Sequence, residues 1–146
     1  MPYYMKKKGS TGRAHKKGSL KDKLDKVFSL YIRLRDAMPN GYFRCISCGE
    51  IKPFDQADCG HYFSRTHLAT RFDERNCHAE CRYCNRFKAD HLDGYRENLI
   101  RKIGQREFDL LRLRHQSSAQ MSEFEYRELI KYYKVRCEMI KKEKGL

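Results

Sequence analysis

No stretch of the chain approaches the roughly 20 consecutive apolar residues that a membrane-spanning helix needs, so no membrane partner is expected. The basic N-terminus, Met1 to Gly18, leads into no apolar segment of the kind that follows in a secretion signal. Acid is also scarce. Only 19 Asp and Glu stand against 32 Lys and Arg in 146 residues, a formal charge of +13 that favours a polyanionic partner. Hydrophobic residues make up 40% and the mean hydropathy is −0.89, which suits one compact domain with solvated extensions. What the chain does have is cysteine. Seven of them, an odd count with no secretion signal, favour thiols or metal ligands in a reducing cytoplasm over a disulfide framework.

Residues 1–18 carry six basic side chains, three glycines and no acid, and are expected to form a disordered basic arm. Ser19 reads as an N-cap for a helix over 19–38, with Leu20, Leu24, Val27, Phe28, Tyr31, Ile32 and Leu34 at helical spacing and a stop at Met38-Pro39-Asn40-Gly41. Residues 42–93 change character: they hold six of the seven cysteines and four of the six histidines, with few long aliphatics. Helical periodicity returns over 94–146. A short helix from Tyr95 closes at Gly104, a second carries Phe108, Leu110, Leu111 and Leu113, and a capping box at Ser122–Glu125 opens a last helix. That helix is expected to end in a solvated basic tail, Lys141 to Lys144.

Within 42–93, Cys45-Ile46-Ser47-Cys48-Gly49 and Cys81-Arg82-Tyr83-Cys84-Asn85 are two CxxC pairs with 32 residues between them. Two residues between cysteines let both thiolates of one turn reach the same ion, and four sulfurs complete a tetrahedral zinc shell. Two disulfides or a redox dithiol are the competing readings, disfavoured by compartment. Cys137 falls on a helical stripe as a small buried hydrophobe. Cys59 and Cys77 flank the loop between the knuckles; they could form a second metal set, but the CxxC pairs already supply four ligands, so they are read as bystanders.

The loop between the knuckles is dense in polar chemistry: Asp58-Cys59-Gly60-His61-Tyr62, then Arg71 to His78 with Asn76 five residues before Cys81, and Asn85 directly after Cys84. A His on a strand, an Asn before the second CxxC and an Asn or His after it resembles the His-Me finger, or HNH, nucleases. The residue types suit phosphodiester hydrolysis. His61 would be a base neutral near pH 7, Asp58 and Asn85 hard oxygen donors for Mg²⁺ or Mn²⁺, and Asn76 a hydrogen-bonding tie that aims His61. Plainer roles stay open. His61 alone could be a surface histidine, and Asn85 could cap a helix. Gly60 occupies the place before the His where an acidic ligand often stands, so Asp55, Asp73 or the phosphate itself could complete the shell in place of Asp58. Arg65, Arg71, Arg75, Arg86 and Lys88 are expected to touch the nucleic-acid backbone, or else to be solvated charges.

Over roughly 44–111, CISCG, DCGHY, RFDERNCHAECRYCN and YRENLIRKIGQ resemble the NinG (Rap) recombination proteins of lambdoid phages. The resemblance implies a structure-selective endonuclease acting on branched DNA, Holliday junctions and D-loops included, in a bacterial host's cytoplasm, leaving 5′-phosphate and 3′-hydroxyl ends. Cys45, Cys48, Cys81 and Cys84 match the family's zinc cysteines. Asp58, His61, Asn76, His78 and Asn85 fall on its characteristic positions, whereas Cys59 and Cys77 are outside that pattern. The expected fold is α+β: a zinc-braced ββα-metal core with flanking helices. Cutting both strands of a junction symmetrically requires two sites, hence a homodimer. A non-catalytic zinc-knuckle binder and a generic HNH nuclease of linear duplex are the alternatives.

Overall fold

The computed structural model describes residues 19–146, so the basic arm expected over 1–18 lies outside the described residues. Helix α1 (Leu20–Asp36) opens on a reciprocal cap: the Ser19 hydroxyl accepts from the Asp22 N–H at 3.2 Å, and the Asp22 carboxylate accepts from the Ser19 N–H at 3.3 Å. It stops at Ala37, which turns extended two residues before Pro39. Strands β1 (Tyr42–Arg44) and β2 (Ile51–Pro53) pair antiparallel around the first cysteine turn. Gly49 leaves that turn at φ 74°, a left-handed conformation that favours glycine.

Strands β3 (Ala57–His61) and β4 (Cys77–Cys81) form the second antiparallel pair, with Ala57 opposite Cys81 and His61 opposite Cys77. The connection between them contains the short helix α2 (Leu68–Arg71). β4 runs directly into α3 (Arg82–Phe87), so a two-stranded hairpin is followed at once by a helix. Then come α4 (His91–Ile103), α5 (Gln105–His115) and α6 (Glu123–Lys144), the last opening on the Ser122–Glu125 capping box. α4 starts one turn earlier than the apolar pattern predicts, because its first turn, His91-Leu92-Asp93-Gly94, contains a glycine and no repeating stripe.

The largest core lies between α1 and α6, where Leu24, Phe28, Tyr31 and Ile32 meet Ile130, Tyr133, Cys137 and Ile140. A second cluster, Ile46 with Tyr95, Leu99, Phe108 and Leu111, joins α4 and α5 to the first cysteine turn. The third is small: Phe43, Ala57 and Ala79 around Cys45, Cys81 and Cys84. One expectation is corrected at the C-terminus. Lys144 is not a solvated tail residue, because its Nζ donates to the carbonyls of Leu34, Arg35 and Ala37 at 2.8, 2.8 and 2.6 Å. A cation there answers the unpaired carbonyls that end α1.

Candidate functional site

At one end of the β3–β4 hairpin, Cys45, Cys48, Cys81 and Cys84 bring their sulfurs within 4.8 Å of one another. The Cys48 and Cys81 sulfurs are 4.0 Å apart, and the Cys81 N–H points at the Cys45 sulfur at 3.2 Å. Cys45, Cys81 and Cys84 are buried, while Cys48 reaches solvent. Burial pushes the Cys45 thiol up to about 11; at Cys81 burial acts in the same sense but is outweighed by hydrogen bonds from the turn, which pull the thiol down. Four converging thiols with N–H···S support are a donor set that could hold a metal such as zinc.

His61 ends β3, at the other end of the hairpin. A cleft of about 510 Å³ opens beside it and gathers His61, Asp58, Asn85, Arg65 and Arg86, with Asp25 and Phe28 of α1 on its far wall. His61 Nε2 lies 2.9 Å from the Arg71 carbonyl oxygen. A carbonyl only accepts, so that nitrogen carries the proton and Nδ1 keeps the ring's lone pair. Burial pushes the imidazole below its usual range, with the Arg71 carbonyl pulling the other way, which leaves the ring neutral near pH 7.

Asn76 is fully buried behind this strand end. Its Oδ1 accepts from the Phe63 N–H at 2.8 Å, and its Nδ2 donates to the carbonyls of Phe63 and Thr70 at 3.0 and 3.1 Å. It therefore staples the chain leaving His61 to α2. Asp58 faces the start of α3: its carboxylate accepts from Asn85 Nδ2 at 3.0 Å and from Arg86 at 2.8 and 2.9 Å. A hard ion could use the Asp58 and Asn85 oxygens, but only by displacing the Arg86 guanidinium from the carboxylate. His78 stands apart from the cleft, buried against Tyr95; burial drops its imidazole to about 3, and it packs as a neutral ring.

All four of the expected backbone-contacting arginines pair with carboxylates, and two of them are tied into the fold by those pairs. Arg71 is buried, its guanidinium paired with Asp25 through Nε at 2.9 Å and through Nη2, and bonded to the Arg65 carbonyl at 2.9 Å. Arg75 grips Asp73 at 2.8 and 3.0 Å and Glu107 at 3.2 Å. Both tie the loop to α1 and α5, with their charge already answered by carboxylates. Arg65, 3.3 Å from Asp25, and Arg86, on Asp58, are exposed at the cleft, and Lys88 is exposed just past α3.

Sequence reasoning missed His91 and its partner. His91 lines the cleft, and its Nδ1 lies 2.6 Å from Glu80 Oε2, which also accepts from the Ser47 hydroxyl. Glu80 is fully buried, and its Oε1 has no hydrogen-bond partner among the described residues. Gly60 is what makes room for it, since a Cβ there would stand 2.6 Å from Glu80 Oε1. The glycine beside His61 was the available signal.

A mixed protein of helices and two small sheets, with four cysteines that could hold a metal at one end of a hairpin and a polar cleft at the other, is the class that fold and site define. The family model described as "Bacteriophage Lambda NinG protein" matches residues 5–143, and the chain belongs to the NinG family of lambdoid phages. It is 46% identical over 74 residues to Protein ninG of Escherichia phage 933W and 45% identical over 74 residues to that of Escherichia phage lambda, in each case 49% of this chain and 35% of the relative. Protein ninG of Salmonella phage P22 is 49% identical over 63 residues, 41% of this chain and 30% of the relative. The aligned segment thus spans about a third of the length of these relatives. No solved structure matches the chain. None of the described helices is long and apolar enough to cross a membrane.

Proposed function

We propose that this protein is a divalent-metal-dependent DNA endonuclease of the His-Me finger type, cutting branched DNA such as Holliday junctions and D-loops. The observation that carries the reading is His61: a neutral imidazole on a cleft, with Nε2–H held by a backbone carbonyl, which leaves Nδ1 as the nitrogen with the lone pair. In this reading Nδ1 takes the proton of the attacking water, and Asn76 keeps the strand end and its loop in place so that the ring cannot turn away. Mg²⁺ or Mn²⁺, held by Asp58 and Asn85, would supply charge against the phosphate and leaving oxygen. Arg86, released from Asp58, and Arg65 are then placed to meet a backbone phosphate, with Lys88 further along the same side. The order β3, β4, α3, with the base ending the first strand and Asn85 on the helix, supports the His-Me finger assignment.

The charge of +13 supports DNA as the polyanion. Two sites are needed to cut a junction symmetrically, so the acting unit is a homodimer; Tyr132, Val135 and Met139, exposed along one face of α6, offer an apolar surface for a second copy. The deciding experiment incubates the protein and His61→Ala with a four-way junction and a matched linear duplex, with and without Mg²⁺. Junction cutting that needs Mg²⁺ and is lost in His61→Ala is expected. Junction binding without cleavage under any divalent ion would leave a zinc-knuckle binder, and equal cutting of linear duplex would remove structure selectivity.

A further inference from the structure

Cys59 and Cys77, which the knuckle pattern leaves out, converge on His61. The ligand atoms of Cys59, His61 and Cys77 all lie within 4.8 Å of one another. The strand register explains why. Cys59 and His61 are two residues apart on β3 and so share a face, and His61 stands directly opposite Cys77 on β4. Cys59 and His61 line the cleft, while Cys77 is fully buried beneath them.

We propose that Cys59, His61 and Cys77 form a second metal site, which takes a thiophilic divalent ion such as Zn²⁺ and thereby withdraws His61 from catalysis. Two thiolates and one imidazole are a ligand set zinc accepts with a fourth position left open, and the cleft that Cys59 and His61 line could supply the fourth ligand. Soft sulfur selects against the hard Mg²⁺ of the neighbouring oxygen site, so the two ions sort by chemistry. An imidazole on zinc ordinarily donates its second N–H to a carbonyl or carboxylate. With Nδ1 as the ligand atom, the bond from His61 Nε2 to the Arg71 carbonyl at 2.9 Å would serve that purpose. The Cys77 thiol lies 3.6 Å from the same carbonyl, which places both donors around one backbone oxygen. The balance is simple: the two thiols each give up a proton, and neutral His61 contributes the lone pair that would otherwise take a proton from water.

The binding half stands on geometry alone; the inhibitory half rests on His61 as the general base. The full chain, stripped of metal and titrated with Zn²⁺, is expected to bind two ions, the first in the four-cysteine centre, whereas Cys59→Ser and Cys77→Ala bind one. With Co²⁺ as the probe, the second equivalent should add thiolate charge-transfer absorption in the wild type and none in Cys59→Ser. One ion at saturation in the folded wild type, or two in both variants, overturns the site. In saturating Mg²⁺, the second Zn²⁺ equivalent should abolish junction cleavage by the wild type and spare Cys59→Ser. Two bound ions with undiminished cleavage would overturn the inhibitory half, while absence of cleavage at one ion would sink the nuclease reading and leave the ion count to decide the site.

Discussion

Where α1 meets α6 and β4, ten buried side chains make a continuous apolar seam, with Phe28 and Tyr133 edge to face at 5.0 Å and Phe28 and Phe72 at 5.6 Å. Around the cysteine turns the buried cluster is one phenylalanine, two alanines and three cysteines. The first region has enough large side chains to hold by burial, at about 1.5–3 kcal/mol for each fully buried Leu, Ile or Phe. The second does not, and its sulfurs stand where a core would be. Stability thus comes from hydrocarbon in one region and would come from ligand bonds in the other once its four thiols hold a metal, and the candidate active cleft lies on the hairpin that joins them.

The sharpest way to break this contrast is to remove the metal. Structural zinc contributes on the order of 10–16 kcal/mol, comparable to the whole stability of a domain at about 5–15 kcal/mol. Strong chelation, or Cys81→Ser, is expected to release residues 42–90 while α1 and α6 keep much of their helix. Amide exchange should then become fast in β1 to β4 and stay slow in α1 and α6; full protection of the hairpin after complete metal loss would refute the contrast. The converse experiment is Phe28→Ala, expected to cost about 3–5 kcal/mol in denaturant melts by opening a cavity at a residue 1% exposed. It should leave the metal content of the folded protein unchanged.

Much of the first region was legible in sequence, because helices declare themselves by period and caps. Ser19 with Asp22, Ser122 with Glu125 and the stripes from Leu24 to Ile140 all read directly. The cysteine frame read well too, since CxxC spacing is local. What did not read was whatever depends on partners distant in the chain. Arg71 looked like a phosphate ligand until Asp25, 46 residues earlier, proved to hold it. Cys59 and Cys77 looked idle because only strand register sets them beside His61. Glu80 and His91 carry no motif, and Lys144 looked like tail because the carbonyls it meets belong to α1.

Lys144 offers a smaller test on the helical side. Its three carbonyl contacts are hydrogen bonds from a charged group, a class that contributes about 1.5–3 kcal/mol, so Lys144→Ala should lower stability by that order and fray the end of α1. Exchange at the amides near Ala37 is the readout, with the metal centre unaffected. No change in either quantity would return Lys144 to the status of a solvated tail.

The smallest expected effect tests the seam between the two regions. Asp36, at the end of α1, accepts from the Ala79 N–H of β4 at 2.8 Å, and Arg35 donates to the carbonyls of Glu74 and Cys77 at 3.0 and 2.7 Å. Burial alone would raise the Asp36 carboxyl, but Arg35 beside it at 2.8 Å, helped by Lys102, outweighs that and holds it below its ordinary range. A carboxyl lowered on folding contributes stability that is fully present above its unfolded value of about 3.9 and is lost as pH falls through the folded value beneath it. Denaturant midpoints of the wild type should therefore fall more steeply below about pH 4 than those of Asp36→Asn, by at most about 1.4 kcal/mol per pH unit for one proton. Above about pH 5 the two curves should run parallel, with the variant lower throughout because its amide replaces a charged partner of Arg35. Parallel curves across the whole range would mean that the clamp between helix and hairpin is held by shape and not by this charge.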